Sequence, residues 1–554
     1  MSPFLSFMPK SESCAKRWLW GSFLALALVI LYKAWVAEDA FITARVIGNF
    51  IQGYGLRWNV DDRVEVYTHP LWMMIHIPFV ALTGSFFYTT LAISLLITAA
   101  AFALITRSLR LTAMQAFPLL AAPLLLSRCI TDYSTSGLET PLTFLLIAWF
   151  IHTLFHKYAT PSAPTPWFRL SLIASLLLLN RLDTALLIAP ALIYLTWHER
   201  RSISILPILA GAIPLFVWQI FRLFYYGFFF PNTKYAKLSD SVPFSYFLER
   251  GTDYLADFIA NDLPSFMIIL LSSLLIMWPS NTTSPFRKQL LSLTYGVLLY
   301  CVYIISAGGD YMTGRFFAPP VFLSIIVAAT FYKNNPTTSL RLPYLATLLL
   351  FLALLFSLSR IMPLHPLVID REEAAHFISQ DSLIHDERAW GWSTNHLLSF
   401  SWLGRGESVT DNMFARRGLE FNKQAASKCN QPACYVLPYY AVGMTGFYAG
   451  PNVVILDHFA LGDAFLSRLP VSLSNNFKKA GHYIRLIPPG YKFARESNSS
   501  RRMNGQIAEY YDAIRTITSD PLLSKKRLQT ILDFNLGKYD HLLQGYKPKQ
   551  ATSY

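Results

Sequence analysis

A polytopic α-helical membrane protein of about eleven spans, carrying a C-terminal extracytoplasmic α/β domain, is the fold class that the sequence predicts. Three observations predict it. Hydrophobic residues fill 53% of the 554 positions and charged residues only 14%, which excludes an ordinary soluble enzyme. Apolar windows of membrane length recur as far as residue 359. Beyond 360 those windows stop, charge rises, and Gly/Pro/Asn punctuation separates short β-rich runs such as CYVLPYY, NVVILDHF and HYIRLIPPGY, the pattern of a mixed globular domain.

Taken in order, the windows lie near 17–37, 87–106, 112–129, 138–156, 168–180, 183–197, 203–224, 264–279, 288–306, 315–333 and 342–359. The first apolar run, Trp18 to Ala37, exceeds a signal-peptide core of roughly 7 to 15 residues. It is followed by acids rather than a small-x-small cleavage site, so it reads as an uncleaved span. Keeping 70–84 in the interface rather than across the bilayer places Arg107, Arg110, Lys157, Arg169, Arg200, Arg201, Arg287, Lys288, Lys333 and Arg341 on the side of Lys10, Lys16 and Arg17, as the positive-inside rule asks. The same topology sends Glu38, Asp39, Asp61, Asp62, Glu65, Asp132, Glu139, Asp183 and Asp310 to the far face. The expected division is a transmembrane domain over 1–360, with a first extracytoplasmic loop and juxtamembrane helices over 38–86, and a soluble domain over 361–554. That domain ends in two helices broken at Asp520-Pro521 after the polar linker ESNSSRRMNG.

The net charge of +14 is spread through short loops between apolar runs, which speaks against nucleic-acid binding. Five cysteines are too few for a disulfide scaffold and show no zinc spacing. Cys429 and Cys434, in KCNQPAC, suit either a small-loop disulfide or two free thiols.

The stretch from Trp35 to Pro70 carries the first chemical signal. Glu38 and Asp39 follow a membrane run directly, a costly placement unless the acids are used. Residues 39–52 then alternate as a short surface helix, with Ile42, Val46, Phe50, Ile47 and Ile51 on one face and Arg45, Asn49 and Gln52 on the other. Asp39 suits a catalytic carboxylate, and equally a helix N-cap; Glu38 suits the cap or a helper. The other far-side loops add Asp132 and Glu139 in DYSTSGLETP, Arg181 and Asp183 in NRLD, and Arg222, Tyr225, Tyr226, Asn232, Lys234 and Lys237 in FRLFYYGFFFPNTKYAK. Asp310, Tyr311 and Arg315 come from GGDYMTGRFFAPP. Such a set suits a lipid-linked sugar phosphate. Arg222, Lys234, Lys237, Arg181 and Arg315 are candidates for the phosphate. Tyr225, Tyr226, Asn232, Glu139, Asp183, Asp310, Tyr311 and His69 are candidates for sugar or acceptor. The plain alternatives are an Arg181–Asp183 pair holding a helical hairpin and lysines that anchor span ends.

Together, EDAFITARVIGNFIQGYGLRWNVDDRVEVYTHPLW, STSGLET, NRLD, YYGFFFPNTKYAK, GGDYMTGRFFAP, GFYAGPNVVILDHFALGDAFLSRLP and GHYIRLIPPGY resemble, in the same order over nearly the whole chain, the GT-C polyprenyl-phosphate-sugar glycosyltransferases. Within that class they resemble the terminal arabinofuranosyltransferases and their bacterial relatives. The reading is then a GT-C helical bundle in a bacterial inner membrane, with the N-terminus placed in the cytoplasm by the Lys/Arg bias and the C-terminal domain in the periplasm by the odd span count. The resemblance also implies a catalytic acid in the first extracytoplasmic loop, carried onto Asp39, a polyprenyl-phosphate sugar donor, with a pentose such as arabinofuranose the best-known case, and a cell-envelope glycan or lipopolysaccharide-type acceptor. NRLD stands where a TRPDG-like run is commoner, and His69 replaces a small or polar residue. A hexose or aminosugar donor, a lipid or glycan transporter, and a non-enzymatic assembly protein stay open as alternatives. No cofactor is demanded, although Asp61, Asp62 and Glu65 leave room for a divalent cation. Trp390, Trp392, Asp411 and Asp457 are candidates for acceptor contacts in the soluble domain.

Overall fold

The computed structural model describes residues 12–160, 162–239, 241–278, 284–335, 346–352, 355, 384–390, 392–397, 412–471 and 481–547. Two compact units emerge, neither continuous in sequence. The first comprises 1–36, 90–214 and 248–404; the second comprises 37–89, 215–247 and 405–554.

Among the described residues, six helices are long and apolar enough to cross a membrane, or seven if one bent pair counts as a span. They are Glu12–Tyr32, Phe86–Leu109, Thr140–Ala159, Ile205–Tyr225, Pro285–Ser306 and the run Arg315–Lys333. The bent pair is Phe244–Asn261 with Leu263–Met277, turned by 104°. Asp262 makes the corner. Its carboxylate accepts the Ser265 N–H and also the N–H groups of Arg128 and Cys129, at 3.2 and 2.7 Å, so three donors that would otherwise be left unpaired are satisfied by one buried side chain.

Ten of the eleven apolar windows fall on helices, and several of these are shorter than a bilayer needs. Trp167–Asn180 and Ala185–His198 have 14 residues each, about 21 Å at 1.5 Å per residue. The window at 112–129 is not one helix. Pro118 and Pro123 each remove a backbone donor, and the chain runs from Ala113–Ala116 through a π-helical turn, Phe117–Ala121, into Ala122–Leu126. Of the window 342–359, 346–352 is helical and most of the rest lies outside the described residues. Pro70–Thr83 likewise has 14 residues. In the first unit the helices Ala185–His198 and Pro285–Ser306 approach closely because Gly296 has no Cβ; one there would meet the Leu187 carbonyl. This is how membrane helices pack through small residues.

In the second unit the helix Met413–Lys428 leads through the Cys429–Cys434 disulfide into strand β1, Tyr435–Tyr439, which pairs in parallel with β2, Val453–Asp457. The short helix Met444–Ala449 makes the crossover. HYIRLIPPGY, expected as a third β run, forms no strand. Arg485, fully buried, turns its guanidinium onto the carbonyls of Tyr483, Leu469, Ser467 and Tyr235, and that local network replaces a ladder. The two terminal helices, Gly505–Ser519 and Lys525–Asn535, break at Asp520-Pro521 as expected.

The surface-helix reading of 39–52 is half corrected. A helix runs over Ala40–Ile51, but Arg45 and Asn49 of its polar face are buried like Ile42, Val46 and Ile47 of its apolar one. Arg45, 2% exposed, donates to the carbonyls of Trp58, Gly446 and Val453 at 2.6 to 2.7 Å. Asn59 joins the edge of β2 like a strand residue, its amide donating to Ile455 O and accepting the Ile455 N–H, both at 3.1 Å. Polar residues of the first loop are thus spent on backbone groups of the C-terminal segment.

Candidate functional site

Glu38 and Asp39 enter the Ala40–Ile51 helix from its N-terminal side, and both are half-buried. Asp39 occupies the N-cap position with helical φ −59° and ψ −28°, and its side chain makes no capping hydrogen bond. A capping side chain normally needs an extended backbone to turn back onto the helix, and the helical backbone at Asp39 does not supply it. Glu38 does different work. Its Oε1 accepts the Met444 N–H at 2.9 Å, and the absence of a side chain at Gly443 leaves room for its carboxylate and carbonyl. Nearby in sequence, His69 Nε2 meets Thr43 Oγ1 at 2.8 Å, so the imidazole is engaged by the same helix that Asp39 begins.

The segment after the Ile205–Tyr225 helix sorts its expected site residues sharply. Arg222 is 5% exposed and clamps Glu65 with Nε and Nη2 at 2.6 and 3.1 Å. Burial pushes the Glu65 carboxyl up, against the pull of Arg222. Tyr226 is sealed by its hydroxyl contact to Tyr67, 2.7 Å, and its donation to Leu56 O, 3.0 Å. Tyr225 gives its carbonyl to Arg527 and stacks on Phe221 at 5.1 Å. Asn232 is a structural post: its amide donates to the carbonyls of Ala460 and Leu461 at 2.9 and 2.8 Å, and its oxygen accepts from Ser467 and Arg468. Lys234 is exposed, its ammonium 3.8 Å above the Phe230 ring, and among the described residues it forms no ion pair. It borders a cavity of about 770 Å³ walled by Phe228, Phe229, Tyr235, Leu528 and Leu532, with Arg468 beside it. Lys237 is half-buried along Gly481.

In the first unit, Glu139, Arg181, Asp183, Asp310 and Arg315 form one network. Arg181 donates to Glu139 at 2.8 Å and is bidentate on Asp183, which also accepts from Tyr300 at 3.3 Å. Arg315 meets Asp310 at 3.2 Å and Glu139 at 3.6 Å. Both guanidiniums lie against the Phe316 ring, at 4.4 and 5.3 Å. Gly309, at φ +69°, makes the turn that presents Asp310, and the Tyr254 ring occupies the space where a Cβ would stand. Tyr311 is buried with its ring 5.4 Å from that of His385. Two arginines thus serve three carboxylates. The expected pairing of Arg181 with Asp183 is present, as part of a larger set.

A second cluster gathers residues that the sequence reading did not name around Asp132, which it did. Asp132 takes Lys33 at 2.7 Å, Arg128 at 3.1 Å and Arg388 at 3.3 Å, and Arg128 also reaches Asp386. Three cations here serve two carboxylates. Lys33 follows directly on the Glu12–Tyr32 helix and was not singled out from the sequence.

Among the described residues no group of three or more His, Cys, Asp or Glu side chains has the arrangement to hold a metal ion. Glu65 is committed to Arg222, while Asp61 and Asp62 share Arg495 at 2.6 and 2.9 Å, so the three acids do not converge. Asp457 is fully buried and accepts the N–H groups of Phe459 and Gly462; it shapes a loop rather than facing an acceptor. Asp411 lies outside the described residues, as do the side chains of Trp390 and Trp392.

A polytopic helical membrane protein with carboxylate and cation clusters at the ends of its apolar helices is the class these features define. The chain is similar to two curated proteins named terminal β-(1→2)-arabinofuranosyltransferase. One, from Mycobacterium tuberculosis, is 26% identical over 352 residues, 55% of this chain and 54% of that protein. The other, from Corynebacterium glutamicum, is 27% identical over 338 residues, 54% of this chain and 48% of that protein. The chain therefore spans about half the length of the curated relatives it matches. A crystal structure of ArnT from Cupriavidus metallidurans bound to undecaprenyl phosphate aligns with a TM-score of 0.49 at 13% identity, over 80% of this chain and 86% of that one. No protein-family model matches.

Proposed function

We propose that this protein is a GT-C-type membrane glycosyltransferase that moves a sugar, a pentofuranose in the first instance, from a polyprenyl-phosphate donor to a cell-envelope glycan on the periplasmic face of a bacterial inner membrane. The observation that carries the reading is the likeness to the two arabinofuranosyltransferases over more than half of the chain. Asp39 is the proposed catalytic carboxylate, because the likeness to the arabinofuranosyltransferases carries the acid of the first extracytoplasmic loop onto it, and it stands half-buried at the start of the Ala40–Ile51 helix. Glu38, held by the Met444 N–H, positions that helix start against the short helix Met444–Ala449. A carboxylate in this role takes the proton of the acceptor hydroxyl or stabilises the oxocarbenium-like centre, and the departing phosphate needs nearby positive charge. Lys234 and Lys237 are the proposed phosphate contacts, since Arg222 is already neutralised by Glu65. Arg181 and Arg315 hold the Glu139 network in shape.

The test is mass spectrometry of envelope glycans from cells carrying the intact protein, the Asp39→Asn variant, or no protein. Loss of the same terminal sugar in the second and third supports the reading and names the donor. Unchanged glycan in the deletion strain removes the function; unchanged glycan with Asp39→Asn alone removes the catalytic assignment.

A further inference from the structure

The helix Lys525–Asn535 is tied to the end of a candidate membrane span. Arg527 is fully buried and donates its Nη1 and Nη2 to the carbonyls of Phe224 and Tyr225, at 2.8 and 2.9 Å, and its Nε to Ile517 O at 2.7 Å. Those first two carbonyls close the Ile205–Tyr225 helix, where a helix has no partners of its own for them. At the other end Asn535 donates to Gly227 O at 2.8 Å. Ile531 lies between, against Gly227, where no side chain would fit. Both ends of the C-terminal helix are therefore fixed to residues 224–227, at the level where the apolar helix leaves its membrane-length run.

Beside the tethered face, about 100° round the same helix, runs a stripe of exposed leucines. Leu528, Leu532 and Leu536 follow one another at intervals of four residues and are 41%, 54% and 75% exposed; Leu523 just before the helix is 80% exposed. Residues four apart share a helix face. Leu528 and Leu532 border the same cavity as Phe229 and Leu238, themselves 50% and 42% exposed, so the apolar surface is continuous with the chain that follows the span. Exposed Lys525 and Lys526 stand at the helix start and Lys234 at the cavity rim. An apolar stripe flanked by lysines is what a headgroup layer receives.

From this continuity we propose that the C-terminal helix is an interfacial membrane helix: it lies in the headgroup layer of the bilayer beside the Ile205–Tyr225 span, leucine face toward the acyl chains, and its partner is a lipid surface containing anionic phospholipid. The claim rests on the span and the helix geometry and is independent of the proposed catalytic activity. The full-length protein is reconstituted in nanodiscs of phosphatidylcholine and phosphatidylglycerol with the photoreactive residue p-benzoylphenylalanine placed at Leu532, at Leu536, or at the exposed Arg417 of the Met413–Lys428 helix. After illumination, intact-mass spectrometry is expected to show phospholipid adducts at Leu532 and Leu536 at least about tenfold above Arg417. Adducts at both leucines no more frequent than at Arg417, or crosslinks from both to a second protein copy, overturn the proposal. Leu536 is the more exposed of the two, so folding of that variant does not depend on the burial of its side chain.

Discussion

The region around Glu139 and the region from Arg222 to Lys237 were expected to do the same job, and the structure builds them in opposite ways. Around Glu139 each cation is shared: Arg181 between Glu139 and Asp183, Arg315 between Asp310 and Glu139. Along 222–237 nothing is shared. Arg222 is neutralised by Glu65 alone, and Lys234 stands exposed over an aromatic ring. The difference teaches that a basic residue at a span end declares its role only through the acids that reach it. A cation closed by its own carboxylate is a strut, whereas one left over is available to a ligand.

Four measurements break or sharpen that contrast. The largest effect is expected at Asp39, which belongs to neither region: Asp39→Asn should lower turnover by about 10²–10⁴-fold, the range for losing a group that acts on the proton in flight, with donor KM little changed. A comparable loss from Lys234→Ala would move the chemistry toward the 222–237 region. Next come the struts. Glu65→Gln and Glu139→Gln each leave buried arginines short of a counter-charge and should destabilise the detergent-purified protein by about 3–5 kcal/mol, read as a fall in unfolding temperature. If Glu139→Gln unfolds at the wild-type temperature, its network is not structural. Lys234→Ala should leave stability within about 0.5 kcal/mol, as for an exposed side chain, while raising donor KM roughly tenfold, equivalent to about 1.4 kcal/mol of lost phosphate contact.

The last test concerns pH. Burial raises the Asp62 carboxyl to about 7 despite Arg495, with Asp61 and Asp463 pushing in the same direction. The folded protein then holds a proton that the unfolded chain gives up near pH ~4, so this group's contribution to stability falls as pH rises from about 4 to about 7 and levels off above. Asp62→Asn should flatten that slope in thermal unfolding measured across the interval. An unchanged slope would assign the proton to another group.

Much of the fold was legible because membrane-length apolarity and helix-breaking residues act locally. Ten of the eleven windows carry helices, the break at Asp520-Pro521 is where the proline puts it, and β1 and β2 sit in the runs that read as strands. The misreadings share one cause. Arg45 and Asn49 looked like a solvated face because periodicity shows which residues share a side but not what covers it; here carbonyls of Trp58, Gly446 and Val453 cover Arg45, and carbonyls of Arg57 and Trp58 cover Asn49. Lys33 and Arg388 were passed over because their partner Asp132 lies 99 residues from one and more than twice as far from the other.

By itself, then, the sequence determined that this is a helical membrane protein with its acids gathered in the loops between spans, since hydropathy and charge are summed along the chain and need no partner. Tertiary structure alone decided that the first loop and 215–247 form one compact unit with the C-terminal segment, and which cations are spent and which are spare. Those outcomes depend on ion pairs and backbone contacts between residues far apart in the chain, 401 positions for Arg45 with Gly446 and 157 for Arg222 with Glu65, and no local pattern in either partner encodes the other's position.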